Sequence, residues 1–370
     1  MTTALVGKTA GEPSGSAHGR SAQDRARRPV LWFAALGAVI LAANVALVTA
    51  WVSGPNFERV PAGPDLPPGW MAITLGTVQV LLVVLAVAAL GWFLVRPWVR
   101  ERRITFDGLM CLAGLSVSIW DPASTAVQPW FAYNSYLLNF GNPLSSLPGW
   151  QSLNVPGRSI AWSCPVLPTF YLVCIPLMAI MGCAVLRTTK RILPRINIFG
   201  LIAVLVVSMA LFDIVLEGIV FMPLGFWTYA GGQWPVLFAG HYYQLPLNEW
   251  LHFIGVGTAF ALLRYAVNDR GQTIVERGVD QIVGGPIKQA GIRLLAIIAG
   301  LHIIVFALYH VPQTFWAVNS HAWPRDVTDR SYFQNQCGPL VDRACPGPHV
   351  PITRPDSGYL DWSGKYVVPR

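Results

Sequence analysis

Charged residues are scarce in this chain. They make up 12% of its 370 residues, about half the share of an average soluble domain, whereas hydrophobic residues make up 54%. Apolar runs of about 20 residues, enough to cross a ~30 Å hydrocarbon core, recur along the chain. The scarcity of charge and the long runs exclude an ordinary soluble domain. They predict an all-α polytopic membrane protein.

Other absences exclude particular functions. No apolar run contains a lysine, so the chain cannot form the retinal Schiff base of a rhodopsin. Its seven histidines are scattered, whereas membrane di-iron enzymes need closely spaced clusters. There is no Gly-rich phosphate loop after a strand and no nucleophile elbow in an α/β setting. We therefore expect no cofactor and no metal site.

The apolar runs predict seven transmembrane helices within a domain that covers residues 30–316. The predicted spans are 30–52, 70–95, 104–120, 161–186, 197–222, 246–263 and 294–316. The third is the shortest and contains Asp107, which we expect to pair with Arg102 and Arg103 at the membrane edge.

The distribution of basic residues predicts the orientation of these helices. With seven spans, 18 of the 26 Lys and Arg residues lie on one side, which the positive-inside rule makes the cytoplasmic side. Without the third span, the last two basic clusters would move to the other side. We therefore predict a multi-pass plasma-membrane protein with its N-terminus inside and its C-terminus outside. The basic residues flank helices and face anionic lipid, which argues against a nucleic-acid partner.

The two ends of the chain lie outside the predicted bundle. Residues 1–29 are rich in Gly, Ser, Ala and Arg and predict a disordered, basic cytoplasmic tail. The apolar run that follows lacks a convincing A-x-A cleavage site, so we interpret it as a retained helix. Residues 317–370 predict an extracytoplasmic tail rich in Pro and Gly. Its Cys337 and Cys345 favour a disulfide, because a zinc site would need two more well-spaced ligands and, with only His349 near, that set is incomplete.

Ionisable residues inside the predicted spans indicate a catalytic site. Such residues are costly in a membrane and usually pair, face a cavity or serve function. Four spans bring them to similar depth, and the candidates are Asp121, Asp213, Glu217, Glu249, His252 and His310. The alternative is a structural role, in which each of these side chains holds helices together through hydrogen bonds. Convergence from four helices favours a catalytic cluster.

The spacing of the acids suggests their roles. Asp213 and Glu217 stand at i and i+4, on one helix face, and Asp213 lies about 6 Å deeper. We therefore expect Asp213 to donate a proton and Glu217 to act as base or cation stabiliser. Long aromatic loops outside the membrane predict the binding of an apolar substrate, and the candidate residues are Tyr133, Asn134, Trp227 and Tyr229.

Several long peptides together resemble one family. The peptides are WFLVRPWVRERRITFDGLMCLA, DPASTAVQPWFAYNSYLLNFG, PGWQS, FDIVLEGIVFMPLGFWTYAGG, NDRGQTIVERGVDQ and CGPLVDRACPGP. In this order, over residues of about 30–352, they are similar to the AveC-like spirocyclase family. The resemblance implies a membrane enzyme that closes a dihydroxy-ketone polyketide into a spiroketal, with dehydration of the ring in the avermectin member. It supplies no catalytic residues, so the candidates above rest on their own chemistry.

The implied reaction suits paired carboxyl groups. A hemiketal loses water through an oxocarbenium ion, much as glycosidases stabilise such an ion between two carboxyl groups. The alternative function is a non-enzymatic carrier or binding protein for an apolar lipid or polyketide, in which the acids couple to protons. A carrier often has an inverted repeat, and no similarity between the halves is visible. A structural subunit has no positive sign in the sequence.

Overall fold

The computed structural model describes residues 28–127, 130–149, 161–317, 320–341, 344–347 and 357–368. The predicted N-terminal tail, apart from its last two residues, lies outside the described residues. Most described residues are helical. The helices are α1 Pro29–Val52, α2 Gly69–Glu101, α3 Phe106–Val117, α4 Trp120–Val127, α5 Val166–Ile192, α6 Ile198–Phe221, α7 Leu247–Tyr265, α8 Gly285–Trp316 and the short α9 Arg325–Thr328.

Five of these helices are long and apolar enough to cross a membrane. They are α1, α2, α5, α6 and α8, with 24 to 33 residues each and a mean hydropathy of 2.2 or more over their best windows. Their bounds overlap five predicted spans. However, α5 begins five residues later than predicted, and α8 begins nine residues earlier. The five helices bear out a membrane protein, and the number seven stays a prediction.

The other two predicted spans contain shorter or more polar helices. The third span is divided: α3 has 12 residues, about 18 Å of helix, and ends at Val117 before α4 begins. Pro122 explains the division, because it lacks the N–H that would bond the carbonyl of Ser118 in a continuous helix. The sixth span is α7, with 19 residues, and it contains both Glu249 and Arg264.

The helices pack around α5 and α8. Helix α3 lies between these two, α7 packs against α5 and α6, and α1 lies along α8. The α1–α8 contact is very close at Gly37, where an added Cβ would lie 1.8 Å from the carbonyl oxygen of Leu295. Small residues at helix crossings allow such close packing, which is the main source of attraction between helices in lipid.

Three of the long helices contain a π-helical segment. These segments are Gly91–Val95 in α2, Ile214–Phe221 in α6 and Phe306–His310 in α8. In α6 the amide of Met222 donates to the carbonyl of Glu217 at 3.0 Å, an i to i−5 bond. Such segments often mark functional sites, because the wider turn re-aims side chains. Here they carry Glu217, Tyr309 and His310.

A cap of loops and short strands covers one end of the bundle. We define this aromatic cap as residues 130–147, 221–246 and 320–341. Strand β1 (Ala132–Tyr133) pairs antiparallel with β2 (Trp227–Thr228), and β3 (Val236–Leu237) pairs antiparallel with β4 (Leu245–Pro246). Further along the chain, β5 (Tyr359–Leu360) pairs with β6 (Tyr366–Val367).

The predicted C-terminal tail contributes directly to this cap. The amide of Ser135 donates to the carbonyl of Tyr332 at 2.8 Å, and the Asn335 amide donates to the carbonyl of Tyr133 at 2.7 Å. A disulfide joins Cys337 to Cys345. Residues 320–341 therefore pack onto the loops between the helices and contribute buried rings to the cap core.

The opposite end of the bundle, called the basic end below, gathers the arginine-rich loops. Here Asp107 at the start of α3 accepts two hydrogen bonds from the guanidinium of Arg264 at the end of α7, at 2.7 and 2.8 Å. The expected pairing of Asp107 with Arg102 and Arg103 was therefore wrong. Helix α7, whose path through the bundle cannot be read from sequence spacing, brings Arg264 to this acid instead.

Candidate active site

A cavity of about 80 Å³ lies inside the bundle beneath the aromatic cap. Its walls come from α4, α5, α6, α7, α8 and the cap. They are mostly apolar, and its lining contains no Lys or Arg. Three carboxyl groups reach it, those of Asp121, Glu217 and Glu249. The cavity thus brings acidic groups from three helices to one apolar space.

Each of these three carboxyl groups accepts a hydrogen bond from a tyrosine that also lines the cavity. The pairs, each given with its hydroxyl-to-carboxyl distance, are Tyr171–Asp121 at 2.6 Å, Tyr229–Glu217 at 2.9 Å and Tyr309–Glu249 at 2.7 Å. Tyr133 also hydrogen-bonds Asp121. A phenol that donates to a carboxyl group fixes its orientation in a site without cations.

Asp213 lies close to this cluster but does not line the cavity. Its side chain is fully buried, and neither carboxyl oxygen has a hydrogen-bond partner among the described residues. It interacts electrostatically with Glu217, one turn further along α6, and with Glu249. Of the predicted pair, Glu217 therefore reaches the cavity, and Asp213 lies behind it.

Neither candidate histidine lines the cavity. His252 is buried, with its Nδ1 atom 3.9 Å from Glu249 Oε2, and its ring meets that of Tyr309 edge-on. His310 stacks on Trp120 with ring centroids 4.8 Å apart. It lines a separate cleft with Trp120 and so does not contact the space that the acids share.

Three of the four predicted substrate-binding residues line the cavity. They are Tyr133 and Trp227, which pair across β1 and β2, and Tyr229. Asn134 does not line it. Its side-chain amide donates to the carbonyl of Gly225 at 2.8 Å, and its Oδ1 accepts from the amide of Tyr136 at 3.0 Å. This arrangement gives Asn134 a structural role in the cap.

Sequence reasoning missed Tyr171 and Tyr309. An aromatic residue inside an apolar helix resembles a membrane-belt residue, and only the fold shows that each hydroxyl meets an acid. A third histidine of the bundle, His302 on α8, has a structural role that its contacts explain. Its Nδ1 accepts from the Trp120 indole at 2.8 Å, so its Nε2 carries the proton and donates to Ser116 Oγ at 3.0 Å. His302 therefore joins α8 to α3 and α4.

No group of three or more His, Cys, Asp or Glu side chains among the described residues is arranged to hold a metal ion. The acids of the cavity are instead held by phenol hydroxyls. Such an arrangement of neighbouring carboxyl groups can move protons and stabilise a cation within an apolar space.

The fold and the site define a class: a helical membrane protein with carboxyl groups around an apolar cavity. The sequence profile of the family described as "Spirocyclase AveC-like" matches residues 101–333, nearly two thirds of the chain. The chain belongs to the AveC-like spirocyclase family. No curated protein and no solved structure matches it.

The matched region contains every residue that lines the cavity. It begins at the end of α2, includes α3 to α8, and ends within the aromatic cap at Phe333. Family membership therefore indicates a polyketide-modifying enzyme of the spirocyclase type. The cavity, with its three carboxyl groups, is the candidate active site of this enzyme.

Proposed function

We propose that this chain is a membrane-bound spirocyclase that closes a dihydroxy-ketone polyketide into a spiroketal by acid–base catalysis. The observation that carries the proposal is the convergence of three tyrosine-bound carboxyl groups on one apolar cavity. Family membership supports the same reaction class.

The reaction needs an acid, a base and a nearby negative charge from the protein. One substrate hydroxyl adds to the ketone, and the resulting hemiketal loses water when an acid protonates its hydroxyl group. The oxocarbenium ion that forms is stabilised by nearby negative charge. The second hydroxyl attacks this ion while a base takes its proton. Dehydration of the ring product would use the same acid and base groups.

The cavity residues fit these steps. Asp121 accepts hydrogen bonds from two phenols, Tyr171 and Tyr133, which stabilise a carboxylate and suit it to act as base and cation stabiliser. Glu217 and Asp213 are neighbouring carboxyl groups, which repel when both are ionised and so favour sharing a proton. Because only Glu217 reaches the cavity, we assign it the transfer of that proton to the substrate, with Asp213 as its buried partner.

The size of the cavity limits what it can hold at once. At about 80 Å³ it accommodates the reacting carbonyl and hydroxyl groups, whereas pockets that enclose a whole drug-sized ligand are about 300–1,000 Å³. We propose that the rest of the polyketide lies between the helices or beneath a displaced cap. The apolar walls contributed by residues such as Phe253 and Phe260 suit an apolar substrate.

The proposal is tested with purified protein in nanodiscs and a synthetic dihydroxy ketone. Mass spectrometry should show the loss of one water per substrate, and chromatography should show one spiroketal stereoisomer in excess. The alternative, a carrier or binding protein, predicts that the ketone binds and is recovered unchanged. The spontaneous rate in empty nanodiscs provides the control, and an equal rate with protein would reject the enzyme proposal.

We further propose that α3 with α4, and α7, complete a bundle of seven spans in the plasma membrane. Asp107 and Arg264 pair at the basic end, whereas Asp121 and Glu249 both line the cavity beneath the cap at the other end. Each of these two segments therefore runs between the ends of the bundle. The positive-inside rule then places the basic end in the cytoplasm and the cap outside.

This topology is tested by placing single cysteines at exposed positions of a variant without accessible native thiols. A membrane-impermeant thiol reagent should label Lys365→Cys on intact cells and label Arg195→Cys only after lysis. The reverse pattern would invert the orientation, and equal labelling of both sites on intact cells would reject seven spans.

A further inference from the structure

A second cavity, of about 390 Å³, lies at the basic end of the bundle. It is formed where α2 ends, where α8 begins and where the connection after α7 folds over both. Four arginines line it, Arg102, Arg103, Arg270 and Arg293. We call this cavity the basic pocket. It is separate from the acidic cavity and takes no part in the proposed reaction.

The two carboxyl groups in the lining are already paired. Glu276 accepts from Arg293 Nε at 2.6 Å, and Asp280 pairs with Arg270 and accepts from Gln272 at 2.8 Å. These pairs orient two guanidinium groups and leave the lining with four cations against two anions. The pocket therefore has a positive surplus that its own residues do not neutralise.

The remaining two arginines are placed at its edge. Arg103 pairs with exposed Glu101 at 2.5 Å. Arg102 ends α2 in the left-handed conformation, with φ 52°, and has no carboxylate partner among the described residues. Non-glycine residues seldom adopt this conformation. Arg102 and the residue after it, Arg103, both line the pocket.

Apolar residues stand beside these cations. Trp98 and Ile287 line the same pocket and are 52% and 75% exposed. They belong to the ends of α2 and α8, two helices long enough to cross a membrane. A pocket with guanidinium groups within and exposed apolar side chains at its edge lies where lipid headgroups meet acyl chains.

We propose that the basic pocket binds the phosphate headgroup of an anionic phospholipid, with its acyl chains against Trp98 and Ile287. Guanidinium groups bind phosphate through paired hydrogen bonds, and the surplus of positive charge suits a headgroup with net negative charge. A zwitterionic headgroup brings its own cation and matches the pocket less well. A free phosphate ester shares the headgroup chemistry but has no acyl chains for the apolar edge.

Native mass spectrometry of the intact protein tests this proposal. Protein is equilibrated with phosphatidylglycerol or with phosphatidylcholine of the same acyl chains, and the bound lipid is counted. We expect the wild type to retain one phosphatidylglycerol preferentially. Arg102→Gln and Arg270→Gln should each weaken that retention about fivefold, the effect of one basic residue at a membrane surface. Arg195→Gln, an exposed basic residue outside the pocket, serves as the matched control and should retain the lipid.

Two results would overturn the proposal. Equal retention of the two lipids by the wild type, or equal loss in Arg102→Gln and Arg195→Gln, would show that the pocket does not select an anionic headgroup. A separate arm adds soluble glycerol phosphate in place of lipid. If it stabilises the wild type against heat as strongly as phosphatidylglycerol does, the ligand is a free phosphate and the lipid assignment is wrong.

Discussion

The hydroxyl of Tyr171 donates a 2.6 Å hydrogen bond to Oδ1 of Asp121, and this bond joins the middle of the bundle to the short helix α4. Asp121 follows the break between α3 and α4, so its position depends on that break. The bond thus links the interruption of a helix to the orientation of a cavity acid.

Replacing Tyr171 by Phe removes this hydrogen bond and keeps the ring. A hydrogen bond to a charged group contributes about 1.5–3 kcal/mol, so we expect cyclisation to slow roughly 10- to 100-fold. The measurement is product formation by purified variants at equal concentration. Tyr265→Phe, which alters a half-buried ring at the basic end, should keep the wild-type rate. Equal rates of cyclisation in Tyr171→Phe and Tyr265→Phe would show that the Tyr171 hydroxyl does not contribute to catalysis.

The buried partner of Glu217 gives a second prediction. Because Asp213 does not line the cavity, Asp213→Asn should slow the reaction less than Glu217→Gln. Asp213→Asn keeps the side-chain size but removes the carboxyl group that we propose shares a proton with Glu217. Initial rates of the two variants, compared at the same expression level and melting temperature, decide the order. A larger loss of rate in Asp213→Asn than in Glu217→Gln would show that Asp213 is the proton donor.

Close packing at Gly37 gives a prediction for stability. Gly37→Ala places a Cβ against the backbone of α8, and we expect the helices to separate at a cost of about 1–3 kcal/mol. Gly76→Ala is the control, because its added Cβ meets nothing within 4 Å on an exposed helix surface. Thermal unfolding in detergent should show a lower midpoint for Gly37→Ala alone. The same midpoint for both variants would place α1 away from α8.

The disulfide between Cys337 in the cap and Cys345 beyond it closes a short loop. Cys337 and Cys345 are eight positions apart in the sequence. A disulfide that closes a loop of this length stabilises the folded protein by about 2–3 kcal/mol. We expect the double change Cys337→Ala and Cys345→Ala to make the cap more sensitive to protease and heat. Cys164→Ala removes a free cysteine and should leave both unchanged. Wild-type protease resistance of the double variant would show that the cap does not need the bond.

Sequence patterns predict the long helices well. The run at the start of α2, for example, has no charged residue from Gly69 to Val95, and its length is typical of a membrane span. The break at Ser118 was missed because the run from Phe106 to Trp120 keeps its apolar character. Only Pro122, two residues beyond the expected end, indicates that the helix cannot continue.

The site is predictable only in part, for a related reason. Glu217 and Glu249 stand out because acids are rare in apolar helices. Their tyrosine partners do not, because Tyr309 meets Glu249 only through the packing of α8 on α7, and no sequence spacing encodes that contact. Likewise, spacing places Asp213 and Glu217 on one face but does not show which of them reaches the cavity.

The most direct test of the central claim is the rate at which Glu217→Gln closes the dihydroxy ketone. The change keeps the size of the side chain and removes its transferable proton, so the rate should fall about 10²–10⁴-fold, the usual contribution of a general acid. Asp269→Asn, at an exposed loop position, should react at the wild-type rate. Folding is checked by the melting temperature of each variant. A wild-type rate in correctly folded Glu217→Gln would show that the chemistry does not take place through the acids of this cavity.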